Sequence, residues 1–241
     1  MRLPVIQGLI RRRILINFRV DPQIMHRQLP PRLQPKLQAG YAVAGICLIR
    51  LEHIRPRRLP ALFGMSSENA AHRVAVTWTD DEGTAREGVF IPRRDTNSRV
   101  ARAAGGRLFP GEHHHASFKV RETETEINLS LRSLDSSVAV EIEGKLSRGL
   151  PPRSIFKSLA EASAFFEAGS LGYSVTSEAG RLDGLMLKTE QWRVTPLALH
   201  QVYSSYFADE AKFPHGSAKF DHALLMRDIE HEWHSVSDLR L

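Results

Sequence analysis

Cysteine is almost absent from this chain of 241 residues, which contains only Cys47. A single cysteine excludes an intramolecular disulfide and any zinc site built from several cysteines, which is typical of a reducing compartment. Cys47 lies within the apolar run Ala42–Ile49. We expect it to be buried and inert, since free cysteine is among the most buried residue types, and a nucleophilic role is the alternative.

Long apolar runs are missing as well. Ala42–Ile49 is the longest, and it is far below the roughly 20 residues that span a bilayer. The opening segment Met1–Ile10 contains Pro4, Gln7 and Gly8, where a secretory signal requires an unbroken apolar stretch. We therefore predict a cytoplasmic protein without a membrane partner.

Recognised catalytic and nucleic-acid motifs are also absent. There is no G-x-S-x-G, P-loop, H-E-x-x-H or dinucleotide fingerprint, so no cofactor is predicted. The 33 basic residues exceed the 27 acidic ones, and the net charge is +6. The arginines form short clusters without a DNA- or RNA-binding motif, which is typical of solvated faces and argues against a nucleic-acid partner.

The hydrophobic pattern predicts more strands than helices. Tyr41–Leu51 is apolar on both faces, as in a central strand. Four further segments alternate between apolar and polar residues or end at turns, and they are predicted to pair as two hairpins: Arg73–Thr79 with Glu87–Ile91, and Ile127–Arg132 with Val138–Glu143. Capping and proline signals predict four short helices: Gln23–Gln28, one from Thr96 or Asn97 to Ala104, one capped by Ser154 and ending at Gly169, and Leu197–Phe207. These elements predict an α+β, β-rich fold over residues 1–241, one domain built on a curved antiparallel sheet.

The densest concentration of functional residue types is the Arg/His-rich segment from Pro92 to Lys119. If His113–Val120 is a strand, His113 and His115 share one face, where they could bind a metal with Glu112 or Asp95 as a third ligand. Zinc usually requires three protein ligands, so a structural or exposed histidine cluster is the favoured interpretation and no metal is predicted.

Two groups of polar residues next to strands are candidates for ligand binding. Arg94 and Asp95 stand where a helix is predicted to begin, either as a capping pair or as an anion-binding entry. Glu68 and Asn69 precede Arg73 and offer an acid, an amide and a guanidinium close together at a strand mouth. Loops carry such residues routinely, so both interpretations stay open.

Three stretches of the chain resemble a known family, the uncharacterised YqjF-like proteins of the acetoacetate-decarboxylase-like superfamily. They are ILINFRVDPQIMHRQLPPRLQPKLQAGYAVAGICLIRLEHIRP, SSENAAHRVAVTW and GVFIPRRDTNSRVARAAGGRLFPGEHHHASF. The resemblance implies that the antiparallel strands close into a cone or barrel around a central cavity, decorated by short helices.

Acetoacetate decarboxylase, as the resemblance implies, forms a Schiff base between a lysine and its substrate ketone. That lysine and a second one beside it correspond to about His114 and His115 in this chain, and the nearest lysine is Lys119. Histidine cannot form the imine, so this mechanism does not transfer.

Three hypotheses for the function follow. The first is a small-molecule enzyme acting on an organic acid or ketone, with His114, His115 or Glu68 as acid or base. Its ligand-binding residues would be drawn from Arg73, Arg94, Asp95, Arg107, Asn69 and Tyr41. The second is a non-catalytic carrier or sensor of an apolar ligand. The weakest is a protein that binds nucleic acid or another anionic partner through the arginine clusters. The sequence leaves the substrate open, and it leaves open whether the protein is a homo-oligomer.

Overall fold

The computed structural model describes residues 4–100 and 111–241. Two α-helices, α1 (Pro22–Arg27) and α2 (Leu159–Ala168), and the 3-10 turn Ala61–Phe63 accompany the strands. The thirteen strands of these ranges are β1 (Ile6–Val20), β2 (Gln34–Pro35), β3 (Leu37–Gln38), β4 (Tyr41–Pro56), β5 (Met65–Thr79), β6 (Ala85–Thr96), β7 (His113–Glu122), β8 (Glu126–Ser133), β9 (Ala139–Leu146), β10 (Leu171–Val175), β11 (Arg181–Thr189), β12 (Thr195–Ser204) and β13 (Ala218–Arg240). All of them belong to one sheet.

Long, apolar strands form the centre of the sheet. The strand β4 lies between β1 and β5, and its run Ala42–Leu48 is buried throughout. A strand covered on both faces needs apolar side chains in both directions, which explains why this run does not alternate. The prediction of a central strand from Tyr41 is therefore confirmed, and the strand continues to Pro56.

The sheet divides at two strands, β6 and β13. The first half of β6 pairs with β10 and its second half with β7, both in parallel. Likewise β13 pairs with β12 near its start and with β11 near its end, while β1 runs along its other side. The strands thus join into a ring with two arms, one through β7, β8, β9 and β12, the other through β10 and β11. This β-rich architecture with short helices confirms the predicted fold class, with two parallel pairings in a mainly antiparallel sheet.

Two apolar clusters fill the space on the two faces of the central strands. Ile14 and Ile16 of β1 pack with Leu129, Leu131 and Ile142 of β8 and β9 inside the first arm. On the opposite face, Leu15, Cys47 and Phe166 belong to a cluster that also receives α2. Successive residues of a strand point to opposite faces, so β1 supplies both clusters.

Two of the helices predicted from the sequence differ from the structure. The helix after Pro151-Pro152 begins later than predicted, because Ser158 rather than Ser154 accepts the capping hydrogen bond, from the Glu161 amide at 3.1 Å. The predicted helix Leu197–Phe207 is wrong, since this segment forms most of β12 and fills the exposed edge of β9. Sheet pairing outweighs the helix signal of Pro196 here, because β9 offers backbone groups that would otherwise be unpaired.

Other predictions agree with the structure. Asp21 caps α1 by accepting from the amides of Gln23 and Ile24, and both predicted hairpins form. Most of the helix predicted from Thr96 or Asn97 to Ala104 lies outside the described residues. None of the helices in the described ranges is long and apolar enough to cross a bilayer.

Candidate ligand-binding cavity

The candidate site is a cavity between the central strands and the second arm of the ring. It consists of three adjoining compartments, of which the first has a cavity volume of about 60 Å³, enough for several water molecules. The first and second compartments share five lining residues, Ile49, Ala71, Arg94, Leu185 and Trp233. The second and third share Arg13, Arg73, Val89, Phe166 and Gly169.

Arg73 is the most buried arginine of this cavity. It is 5% exposed, and β5 holds it opposite Gly45 of β4. Its Nη2 donates a short hydrogen bond to Asn17 Oδ1, and its Cζ lies 4.8 Å from the centre of the Phe166 ring. Its Nε has no hydrogen-bond partner among the described residues. Burial, and after it the charge of Arg13, lowers the pKa of Arg73 from its usual value to about 10, which still leaves the guanidinium charged at neutral pH.

A chain of hydrogen bonds holds Arg73 from behind. Asp221 Oδ2 lies 2.7 Å from His222 Nδ1, and His222 Nε2 lies 3.0 Å from Asn17 Nδ2. Because the carboxylate accepts the Nδ1 proton, Nε2 is left to accept from the Asn17 amide, which turns Asn17 Oδ1 towards Arg73. Ser154 donates to Asp221 at 2.7 Å. The nearest acid along this chain is therefore two side chains away from the guanidinium.

Arg94 and His113 form a second polar group in the cavity. They are register partners on the parallel strands β6 and β7, so both project to the same face. Arg94 Nε donates to Ser174 Oγ of β10 at 3.0 Å. Burial lowers the pKa of Arg94 to about 10. Burial and the charge of Arg94 lower the pKa of His113 to about 4, so its imidazole is neutral at pH 7.

Arg13 completes the cationic lining. Its Nε donates to Cys47 Sγ at 3.1 Å, and its Cζ lies 5.5 Å from the centre of the Trp192 ring. Arg13 Nη1 and Trp192 Nε1 are buried without a hydrogen-bond partner in the part of the chain that the structure describes. The side chains of Arg13, Arg73 and Trp192 line the second compartment together with Cys47.

Arg12, the neighbour of Arg13, shows how this fold treats a buried guanidinium that has a structural role. It faces the other side of β1, is 1% exposed, and forms ion pairs with Glu68 at 2.6 Å and Glu122 at 2.7 Å. By contrast, Arg73 and Arg94 form no ion pair with a carboxylate of residues 4–100 or 111–241. The remaining residues, 1–3 and 101–110, contain no Asp or Glu. The charges of Arg73 and Arg94 are thus directed at the cavity without an acidic partner.

The predicted ligand-binding residues divide between the cavity and other places. Arg73, Arg94, Asp95 and Asn69 line the cavity. Asp95 is fully buried and held by Arg93 at 2.8 Å, and Asn69 Nδ2 donates to Ser67 Oγ at 2.9 Å. Tyr41 is exposed at the start of β4, where Arg19 stacks on its ring. Arg107 lies outside the described residues.

The predicted acid–base residues lie apart from the described lining. Glu68 is bound to Arg12, and burial raises the pKa of its carboxyl although Arg12 opposes this. His114 Nδ1 lies 3.5 Å from Asp135 Oδ2, and His115 Nδ1 is buried. Their catalytic roles stay predictions. Within the described ranges no three His, Cys, Asp or Glu side chains converge to hold a metal ion.

Sequence reasoning missed two members of the site and the role of a third. Arg13 belongs to one of the arginine clusters that we interpreted as solvated faces, and Trp192 was not singled out. His113 was considered only as a metal ligand. The pattern of β1 does not single out Arg13, because the same face also carries Asn17 and Arg19. Nothing in the local sequence predicts that Trp192, which follows β11, and Trp233 of β13 reach that face.

This ring of strands is an acetoacetate-decarboxylase-like fold, as similar solved structures show. The fold is similar to acetoacetate decarboxylase from Legionella pneumophila, with a TM-score of 0.59 and 14% identity over 98% of this chain and 88% of that one. It is also similar to an acetoacetate decarboxylase-like enzyme from Sphingomonas wittichii, with a TM-score of 0.59 and 10% identity over 99% and 93% of the two chains. The enduracididine biosynthesis enzyme MppR gives a TM-score of 0.58 and 12% identity over 98% and 86%.

The family is identified by sequence. Residues 9–228 match the model of DUF2071, uncharacterized conserved protein (COG2071), and the chain belongs to this family. No curated protein matches the chain in sequence.

Proposed function

We propose that this protein binds a small organic acid in the cavity, where Arg73 and Arg94 each offer a guanidinium group to a carboxylate. One observation carries the proposal: Arg73 is almost completely buried, faces the cavity and has no carboxylate partner among the described residues. A buried charge without a partner costs several kcal/mol, so a fold keeps one where a ligand supplies the opposite charge.

The apolar walls select the rest of the ligand. Ile49, Ala71 and Leu185 lie between the polar groups and contact two compartments each. Apolar walls with a few converging polar groups are typical of small-molecule sites. The combination supports an acid with a short hydrocarbon part over a purely apolar ligand, because an apolar ligand would leave the guanidinium groups unpaired.

Binding is tested with matched ligands. MppR, which shares the fold, has been solved in complex with pyruvate, and 2-oxo acids are therefore suitable first ligands, each paired with its uncharged amide. Titration calorimetry, or fluorescence of Trp192 and Trp233, should detect the acid and give at least about tenfold weaker binding of the amide. Arg73→Gln should weaken acid binding by a similar factor. Arg132→Gln, an exposed arginine on β8, is the control. Equal affinity for acid and amide would instead favour the carrier of an apolar ligand.

His113 supports a catalytic step at the same site. Its neutral imidazole next to Arg94 can accept a proton from the carbon beside a carbonyl group. A carboxylate bound to Arg94 would also offset the positive charge that lowers the pKa of His113, which would make the imidazole a stronger base only when the site is occupied. Exchange of carbon-bound hydrogen of a 2-oxo acid in D₂O, followed by NMR, tests this step. His113→Gln should abolish the exchange and leave acid binding within about threefold of the wild type. Exchange at the wild-type rate in that variant would exclude His113 as the base.

A further inference from the structure

The cationic donors of the cavity form two separate groups. One contains Arg13, Arg73 and Trp192, whose buried Nη1, Nε and Nε1 atoms lack hydrogen-bond partners in the described ranges. The other contains Arg94 beside His113. Arg94 lines the first and second compartments, whereas Arg13 and Arg73 line the second and third. The two groups therefore occupy opposite sides of the second compartment.

The electrostatics agree with this separation. The charge of Arg13 contributes to the lowered pKa of Arg73, so these two guanidinium groups are close together. Neither of them contributes to the lowered pKa of Arg94, which results from burial. Cys47 accepts a hydrogen bond from Arg13, and its register partner on β5, Ala71, is in turn the register partner of Arg94 on β6. The thiol thus lies between Arg13 and Arg94.

One carboxylate cannot neutralise the positive charges that line this cavity. Three guanidinium groups line it, and the acidic side chain among the described lining residues, Asp95, is occupied by Arg93. The basic Lys36 of the third compartment is already paired with Glu87 at 2.7 Å. A ligand with one negative charge would satisfy one group of donors and leave the other buried and unpaired, which is costly.

We propose that the ligand is a small dicarboxylic acid, with one carboxylate on Arg94 and the other on Arg13, Arg73 and the Trp192 indole. Its hydrocarbon part passes Cys47 and contacts Ile49 and Ala71, which line both the first and the second compartment. The inference rests on the proposed function and adds the second anionic group to it.

The test compares each dicarboxylic acid with its own monomethyl ester, which has the same length and one charge fewer. Titration calorimetry on the full wild-type chain uses a series from malonate to adipate. We expect an optimum length at which the diacid binds at least about tenfold more tightly than the monoester. Arg94→Gln and Arg13→Gln should each remove this difference, so that diacid and monoester bind alike. Arg132→Gln should leave it unchanged.

Cys47 provides a second readout that needs no variant, because it is the only cysteine of the chain. The optimal diacid should slow modification of Cys47 by methyl methanethiosulfonate, read by intact mass, and the monoester at the same concentration should protect less. Equal affinity and equal protection by diacid and monoester would overturn the proposal of a second anionic group on the ligand and leave the proposed function intact. Absence of binding by every mono- and dicarboxylic acid would overturn both.

Discussion

Replacing Arg73 with methionine should stabilise the protein in the absence of ligand. Burial lowers the pKa of the guanidinium from its usual value to about 10, which corresponds to about 3 kcal/mol of unfavourable free energy for the charge in the folded state. The variant loses the hydrogen bond to Asn17 and the contact with the Phe166 ring, together about 2 kcal/mol. Methionine fills a similar volume with a flexible apolar chain. The free energy of unfolding should therefore rise by about 1 kcal/mol.

Arg12→Met is the matched control on the same protein. Arg12 is also buried, but its removal leaves Glu68, which is 8% exposed, without its partner at 2.6 Å. Breaking a buried ion pair in this way costs about 3–5 kcal/mol. The same substitution at two buried arginines should thus change stability in opposite directions, because one charge is balanced inside the protein and the other is not.

Urea denaturation at pH 7 measures both effects as shifts of the midpoint at constant slope. Thermal unfolding should agree, at about 2–4 °C per kcal/mol for a chain of this size. The Arg73 variant should also lose acid binding, which would make the position a case of stability given up for a functional charge. If Arg73→Met destabilises the ligand-free protein as much as Arg12→Met does, the fold itself balances the Arg73 charge and the argument for an anionic ligand is refuted.

Three further predictions concern residues around the site and the first apolar cluster. His72 is fully buried, and burial is the main cause that lowers its pKa to about 3. As the pH decreases below 6.5 the unfolded chain takes up a proton that the folded protein does not, so the wild type loses stability. His72→Phe lacks this loss and should gain about 2 kcal/mol relative to wild type between pH 7 and pH 5, as measured by urea titrations. Asn17→Leu should lower the free energy of unfolding by about 2 kcal/mol, since Arg73 and His222 both lose their partner; an unchanged urea midpoint would contradict the hydrogen-bond chain. Ser158→Ala should cost about 1 kcal/mol and Ser158→Asp much less, because only the aspartate can still cap the helix, as thermal unfolding would measure.

Much of the sheet was predictable because its signal is local. The buried run of β4 and the alternation of β8 and β9 depend on which face of a strand is covered, and that pattern is written in consecutive residues. The sequence predicts a helix over Leu197–Phe207 because Pro196 is a helix-start signal, whereas this segment forms most of β12. Its strand conformation depends on the exposed edge of β9, some 50 residues away along the chain.

The site shows the same division between local and long-range information. The sequence by itself determined a β-rich fold, drew attention to Arg73, Arg94, Asp95 and Asn69, and excluded a Schiff-base lysine at about His114 and His115. Only the tertiary structure decided which charges are balanced. Arg12 and Arg13 are adjacent and chemically identical, yet the first meets two glutamates and the second an apolar cavity. Neighbouring residues of a strand face opposite sides of the sheet, and the partners on each side come from distant parts of the chain.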